Sequence, residues 1–277
     1  MAALVSVEWL SAHLDDPDLV VLDCTNFAEF DAKTGRYKTT SGRKSWENDH
    51  ITSSRFVDFT DGFSGNEHNF PVLELHQDVV QLIAQSQISY TPTLLVNFGG
   101  PFAENYFYTR ENPHRDKKLR RFMPANAIAS RTLRTQWFLA EEFVFPRVAA
   151  QAAKIIRAGG RVGVGAHGQL QGLGYHWEMS AVASGGLTPE EVLTAATRHG
   201  AEIIGVAQDI GTVAVGKLAD LVILSKDPRA DIRNTTALDY VVKNGEVFAA
   251  DTLDKLWPDV QPLPPQWWWD SGPPQSR

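Results

Sequence analysis

One cysteine, Cys24, is the only thiol in a chain of 277 residues. An internal disulfide is therefore excluded, and so is a zinc site built from several thiolates. A lone thiol fits a reducing compartment, and Cys24 follows an apolar stretch with no neighbouring His or Arg, the setting of an inert core thiol rather than a nucleophile. Long hydrophobic runs are missing too. Nothing approaches the roughly 18 uninterrupted apolar residues that cross a bilayer. The opening MAALVSVEWLSAHLDDPD has no basic start and soon meets acids and a proline, so no secretory leader is expected. The expectation is a soluble, cytoplasmic protein with no membrane partner. Positive charge is also short. There are 26 Lys and Arg against 33 Asp and Glu, a net charge of −7, which argues against a nucleic-acid partner. The run RDKKLRR at residues 115–121 is the exception, read as a solvated helix face or loop. No G-x-S-x-G elbow occurs, no G-x-G-x-x-G opens a helix, and the P-loop lysine is absent, so serine catalysis and a nucleotide cradle lack their motifs.

The residues that are present alternate between helical and strand patterns. At the start, SVEWLSAHLDD predicts a helix with Ser6 as N-cap. LVVLDC then reads as a short apolar strand, AKTGRYKTTSGRKS as a loop, SRFVDFTD as a strand and DGFSGNEHNFP as a turn-rich junction. From Val72 onward, helices alternate with apolar strands, the signature of α/β units around a parallel sheet. HQDVVQLIAQS is helical and TPTLLVNFG reads as a strand. Residues 100–142 form a long polar and aromatic excursion that is functional or partly helical. FPRVAAQAAKIIRAGG places Val148, Ala149, Ala152, Ile155 and Ile156 on one helix face and stops at Gly159-Gly160. RVGVGAH reads as the next buried strand. In LTPEEVL, Thr188 is an N-cap, Pro189 the first helical residue and Glu191 the partner of a capping box. The chain turns β-rich from about residue 206, with Asn244-Gly245 as a two-residue hairpin turn. The PLPPQWWW tail is expected to lie across the surface.

Reactive groups of α/β folds gather at the carboxyl ends of parallel strands. Two such places carry histidine: His68, after a turn, and His167, at the end of RVGVGAH. Neutral imidazole is the commonest zinc ligand, and one ligand per strand end is how a barrel assembles a metal site. On spacing alone a hydrogen-bonded polar cap is the commoner role for such a histidine, more so for His68 than for His167. His176, beside Trp177 and Glu178, reads as a capping or packing residue with a substrate contact as the alternative. His13, His50, His76, His114 and His199 have no partners in sequence.

The segment GLTPEEVLTAATRHGAEIIGVAQDIGTVAVGKLADLVILSKDPRADIRNT, followed by YVVKNGEV, resembles the C-terminal end of the metal-dependent amidohydrolase superfamily. Upstream, EHNFPV, YTPTLLVNFGGPFAENYFY and GAHGQLQGLGYHWE resemble its imidazolonepropionase-like branch. That resemblance implies a (β/α)8 barrel with a small β-sandwich, a divalent metal, expected to be zinc, and hydrolysis of C–N bonds in a small-molecule substrate. It places His68 at the ligand position closing the sixth barrel strand. It places His167 where the eighth strand usually presents an aspartate. The family's first-strand H-x-H is absent from the whole sequence, and its bridging Lys and fifth-strand His have no counterpart.

VSVEWLSAHLDDPDLVVLDC, then DHITSSRFVDFTDGFS, is similar to the start of a rhodanese-like sulfurtransferase domain, without that family's C-R-x-G-like loop. The expected architecture is thus α/β: a rhodanese-like fragment at residues 1–66, then residues 67–277 as a partial barrel ending in β-sandwich strands. An open half-barrel has an exposed sheet edge that a second copy or a partner must cover. Three functions stay open: a metal-dependent hydrolase impaired by its missing ligands, a non-catalytic metal-binding or interaction module, and, least supported, a sulfurtransferase.

Overall fold

The structure is a computed structural model that describes residues 65–70, 74–133, 135–168 and 170–269, with shorter pieces at 11–12, 22–23, 26–31, 36–41, 43–48 and 55–56. The chain divides into two units, Met1–Ser64 and Gly65–Arg277. In the first, β1 (Leu22–Asp23) pairs in parallel with β4 (Arg55–Phe56), while β2 (Asn26–Asp31) and β3 (Arg36–Ser41) form an antiparallel hairpin followed by α1 (Arg43–Asn48). The segment expected to be a loop is therefore largely hairpin and helix. Its Tyr and Thr residues suit a strand, and Phe27 and Phe30 lie in the strand opposite. Ser6, Cys24, His13 and His50 lie outside the described residues.

The second unit is built on three short parallel strands, β5 (Gly65–Asn66), β6 (Ser89–Tyr90) and β7 (Arg161–Val162), in that spatial order. The ladder continues past their ends, as Thr91 N–H donates to the Asn66 carbonyl at 2.8 Å and Gly163 N–H to the Tyr90 carbonyl at 2.9 Å. Parallel strands need a crossover between them. The first is α2 (Gln77–Ser86), whose Val80, Ile83 and Ala84 are buried. The second crossover runs through α3 (Ala103–Arg110), α4 (Lys117–Phe122), α5 (Ala125–Thr132) and α6 (Phe145–Arg157). The long excursion is thus mostly helical.

Helix α6 starts with Pro146 in its first turn, buries Val148, Ala149, Ala152, Ala153 and Ile155, and ends before Gly159 at φ 86°. Only a residue without a Cβ adopts that conformation freely. Together α2 and α6 cover the sheet around Tyr90 and Val162. Each fully buried aliphatic side chain there contributes roughly 1.5–3 kcal/mol.

Two stretches expected to be strands are something else. Of RVGVGAH only Arg161–Val162 is strand, and Leu94–Val96 is a 3-10 turn. The cause is not local. Thr93 sits at φ 48°, and the N–H groups of Leu94 and Leu95, which a ladder would have used, are bound by the Glu178 carboxyl group at 2.6 and 2.9 Å. Conversely, Gly65–Asn66 lies inside the stretch read as a junction.

Glu178 belongs to α7 (Leu173–Ala183), whose neighbour Trp177 anchors the larger, helical core. The Trp177 ring stacks on Phe107 at 5.3 Å, and its indole N–H donates to Glu111 at 2.6 Å. Helix α8 (Pro189–Thr194) opens with the capping box of Thr188 and Glu191 and continues through one wider turn into α9 (Gly200–Ile203). The C-terminal strands β8 (Leu221–Leu224), β9 (Leu238–Lys243), β10 (Glu246–Ala249) and β11 (Lys255–Trp257) form one antiparallel sheet in order 11-10-9-8. Asn244 (φ 50°) and Gly245 (φ 84°) make the β9–β10 turn, both left-handed as a two-residue hairpin requires. The tail does lie on the body, where Trp268 and Trp269 donate to the Arg121 carbonyl. Among the described residues no helix is long and apolar enough to cross a membrane.

Candidate functional site

The carboxyl ends of β5, β6 and β7 lead directly into His68, Thr93 and the loop carrying His167. The His68 and His167 rings, 99 residues apart in sequence by their numbers, lie 5.2 Å apart with planes at 52°. His68 is half-buried and His167 exposed. On the central strand's exit, Thr93 Oγ1 lies 2.7 Å from His68 Nδ1. A hydroxyl holding Nδ1 leaves Nε2 as the ring atom available to a ligand, and such contacts orient metal-binding imidazoles.

The mouth is held by buried polar groups. Asn69, 3% exposed, accepts from the Phe98 N–H at 2.8 Å and donates to the Phe70 carbonyl at 2.9 Å. Its own N–H donates to the Pro92 carbonyl at 2.9 Å, so the first strand exit is tied to the second. Phe98 lies 6.0 Å from the His68 ring. Between the second and third exits the contact is steric. A Cβ on Gly163 would lie 2.9 Å from Thr91 Oγ1, and one on Gly165 would lie 2.6 Å from Thr91 Cγ2. The glycines of GVGAH are thus spacers that let the His167 loop approach β6.

Glu178 is fully buried, and burial raises its pKa to about 8 against the opposing pull of the Leu94 and Leu95 N–H groups. It fixes the turn that begins at Thr93 and so stands behind His68 without touching it. His176, on the same helix, is paired with Thr235 Oγ1 at 3.0 Å, and burial, reinforced by Lys118, lowers its pKa. That contact is to the turn Ile232–Thr236, not to the two imidazoles.

The separation of the imidazoles suits a shared ion. Two rings bound at roughly 2.1 Å to a tetrahedral metal have centres about 5 Å apart. The donor count does not suffice. Zinc sites use three or four protein ligands, and among the described residues no group of three or more His, Cys, Asp or Glu converges. Two imidazoles are fewer donors than such a site needs, and no catalytic step follows from them. Sequence reasoning singled out the two histidines that the structure brings together, His68 and His167. It missed Thr93, Asn69 and the role of Glu178, for which no local motif exists.

Residues 56–248 match the amidohydrolase family. A stretch of 65 residues, 22% of this chain, is 37% identical to an imidazolonepropionase from Parabacteroides distasonis and covers 16% of it. Among solved structures, a Xaa-Pro dipeptidase with bound methionine in the active site is 17% identical, with a TM-score of 0.44 over 67% of this chain and 40% of that one. The A. niger ochratoxinase is 22% identical, with a TM-score of 0.39 over 67% of this chain and 37% of that one. The chain therefore spans well under half the length of these relatives.

Proposed function

Because the chain belongs to the amidohydrolase family, we propose that it forms part of the active-site mouth of a metal-dependent hydrolase of C–N bonds. In this reading β5 to β7 are three consecutive units of a (β/α)8-type barrel. His68 and His167 are two ligands of a divalent metal, zinc by the preference of imidazole. The metal supplies an activated water when bound. The protein's own part is to hold His68 through Thr93, to seat Phe98 against it through Asn69, and to admit a small-molecule substrate. The approach of the two imidazoles to 5.2 Å at parallel strand ends carries the reading.

The 277 residues by themselves lack the third ligand among their described part, so isolated chains hydrolyse amides poorly unless a second polypeptide completes the site. The same partner, or a second copy, would cover the free sides of β5 and β7. A metal-binding module without turnover is the second reading, favoured by that short donor set. The likeness of residues 1–66 to a rhodanese-like domain rests on their sequence alone, and sulfur transfer is not assigned to them. A cytoplasmic location belongs to the same proposal.

The test is metal content of the purified full chain beside a His68→Ala/His167→Ala double variant. About one zinc, manganese or iron per chain, lost in the variant, supports the site, and chelator-sensitive hydrolysis of an N-acyl amino acid or dipeptide panel then separates the two readings. A folded, metal-free chain after reconstitution with each metal would sink both.

A further inference from the structure

The basic run RDKKLRR and the Trp-rich tail, far apart in sequence, line one cleft of about 1090 Å³. It contains Lys117, Arg120, Arg121, Trp267, Trp268 and Trp269, and among the described residues no acid lines it. In a chain with seven more acids than bases, this is a selective departure. The walls are tied together. The Arg121 carbonyl accepts from the indole N–H groups of Trp268 at 3.1 Å and Trp269 at 2.7 Å, and the Arg121 guanidinium lies 4.3 Å from the centre of the Trp269 ring. On the neighbouring helix residue, Lys118 pairs with Asp251 at 2.7 Å. Lys117 and Arg120 are different: both are exposed, and neither pairs with a carboxylate among the described residues. In the same cleft Trp267 keeps 71% of its surface in solvent, propped edge-on against Trp268 at 5.5 Å.

We infer that this cleft is a binding site for a small aromatic anion. The flat ring stacks on Trp267, and its carboxylate or phosphate lies between Lys117 and Arg120. Each part has its chemical reason. An indole held by its neighbour gains free energy by stacking a planar ring, at little ordering cost. A guanidinium and an ammonium without acidic partners recognise an oxyanion, the first by its planar fork. The net negative charge of the chain disfavours a polyanion at the same place. The site is independent of His68 and His167 and stands whether or not a metal binds there.

Calorimetric titration of the full chain tests this with four probes: adenosine monophosphate, 2-naphthoate, uncharged adenosine and inorganic phosphate. Saturable binding of adenosine monophosphate or 2-naphthoate, at least tenfold tighter than adenosine and phosphate, supports the site, and the tighter of the two identifies the anion. Trp267→Ala weakens that binding roughly tenfold, and Lys117→Ala/Arg120→Ala abolishes the preference for charged probes. Both variants lie on exposed side chains, and an unchanged unfolding temperature shows that they fold. Failure of both aromatic anions to bind at millimolar concentration overturns the inference, as does binding untouched by the variants. A single-stranded oligonucleotide that binds tenfold tighter than adenosine monophosphate, with the same sensitivity, would make the cleft a nucleic-acid surface and equally overturn it.

Discussion

Glu178 offers a stability measurement whose sign and size both follow from its surroundings. Burial lifts its pKa from the ordinary 4.5 to about 8. The folded chain therefore keeps the proton up to about pH 8, whereas the unfolded chain releases it near 4.5. Between these values the unfolded state binds fewer protons, so stability falls as pH rises, by about 1.4 kcal/mol per pH unit for one group. Across the whole window the loss is about 5 kcal/mol, and below 4.5 or above 8 this group contributes no further slope. Glu178→Gln removes the titration while keeping one oxygen for the Leu94 or Leu95 N–H. The excess stability of the unmodified chain over the Gln variant should shrink by about 4 kcal/mol between pH 5 and pH 8. Urea unfolding followed by tryptophan fluorescence at four pH values measures it. Parallel profiles, differing by a constant, would refute the reasoning. They would mean that the two backbone N–H groups, not burial, govern the carboxyl. Glu178→Ala goes further and orphans both N–H groups, each worth roughly 1–3 kcal/mol.

The other expectations concern packing, capping and the metal. Gly185→Ala should cost about 3 kcal/mol or more, since its Cβ would lie 2.2 Å from the Ala149 backbone carbon, where α7 meets α6; a variant with unchanged urea midpoint would contradict that. Gly165→Ala pushes on Thr91 at 2.6 Å and on Thr93 at 3.4 Å, so it should cost about 1–3 kcal/mol and lower metal content if the proposed site exists. Thr188→Ala removes the cap that accepts from the Glu191 N–H at 3.2 Å, and should cost about 1 kcal/mol in thermal unfolding.

The elements legible in the sequence are those whose cause lies within one turn or one hairpin. Helix α6 announces itself by apolar spacing and a terminal Gly, α8 by Thr188, Pro189 and Glu191, and the β9–β10 hairpin by Asn244-Gly245. The strands of the parallel sheet are another matter. At two residues each they leave no periodicity to read, and β5 hides in a turn-like sequence. Residues 94–96 have a strand's composition, yet the Leu94 and Leu95 amides are taken by a carboxyl 84 and 83 positions away. The β2–β3 hairpin was obscured because the polar composition of its second strand resembles a loop.

For the site, strand-end position and motif resemblance singled out His68 and His167, and the structure brings their rings to 5.2 Å. Their proximity was beyond sequence reasoning, since it depends on β6 lying between β5 and β7 and on Gly163 and Gly165 leaving room beside Thr91. Thr93, Asn69 and Glu178 carry no local signature, because each acts across strand exits joined only in the folded chain. The sequence by itself determined which segments cap, turn and bury a face, and to which family the chain is related, because those depend on neighbours within a few residues. Only the tertiary structure decided which imidazoles meet, which carboxyl loses its solvent, and that a basic run and a Trp tail share one cleft. Burial and apposition are properties of packed elements, and no window of the chain contains them.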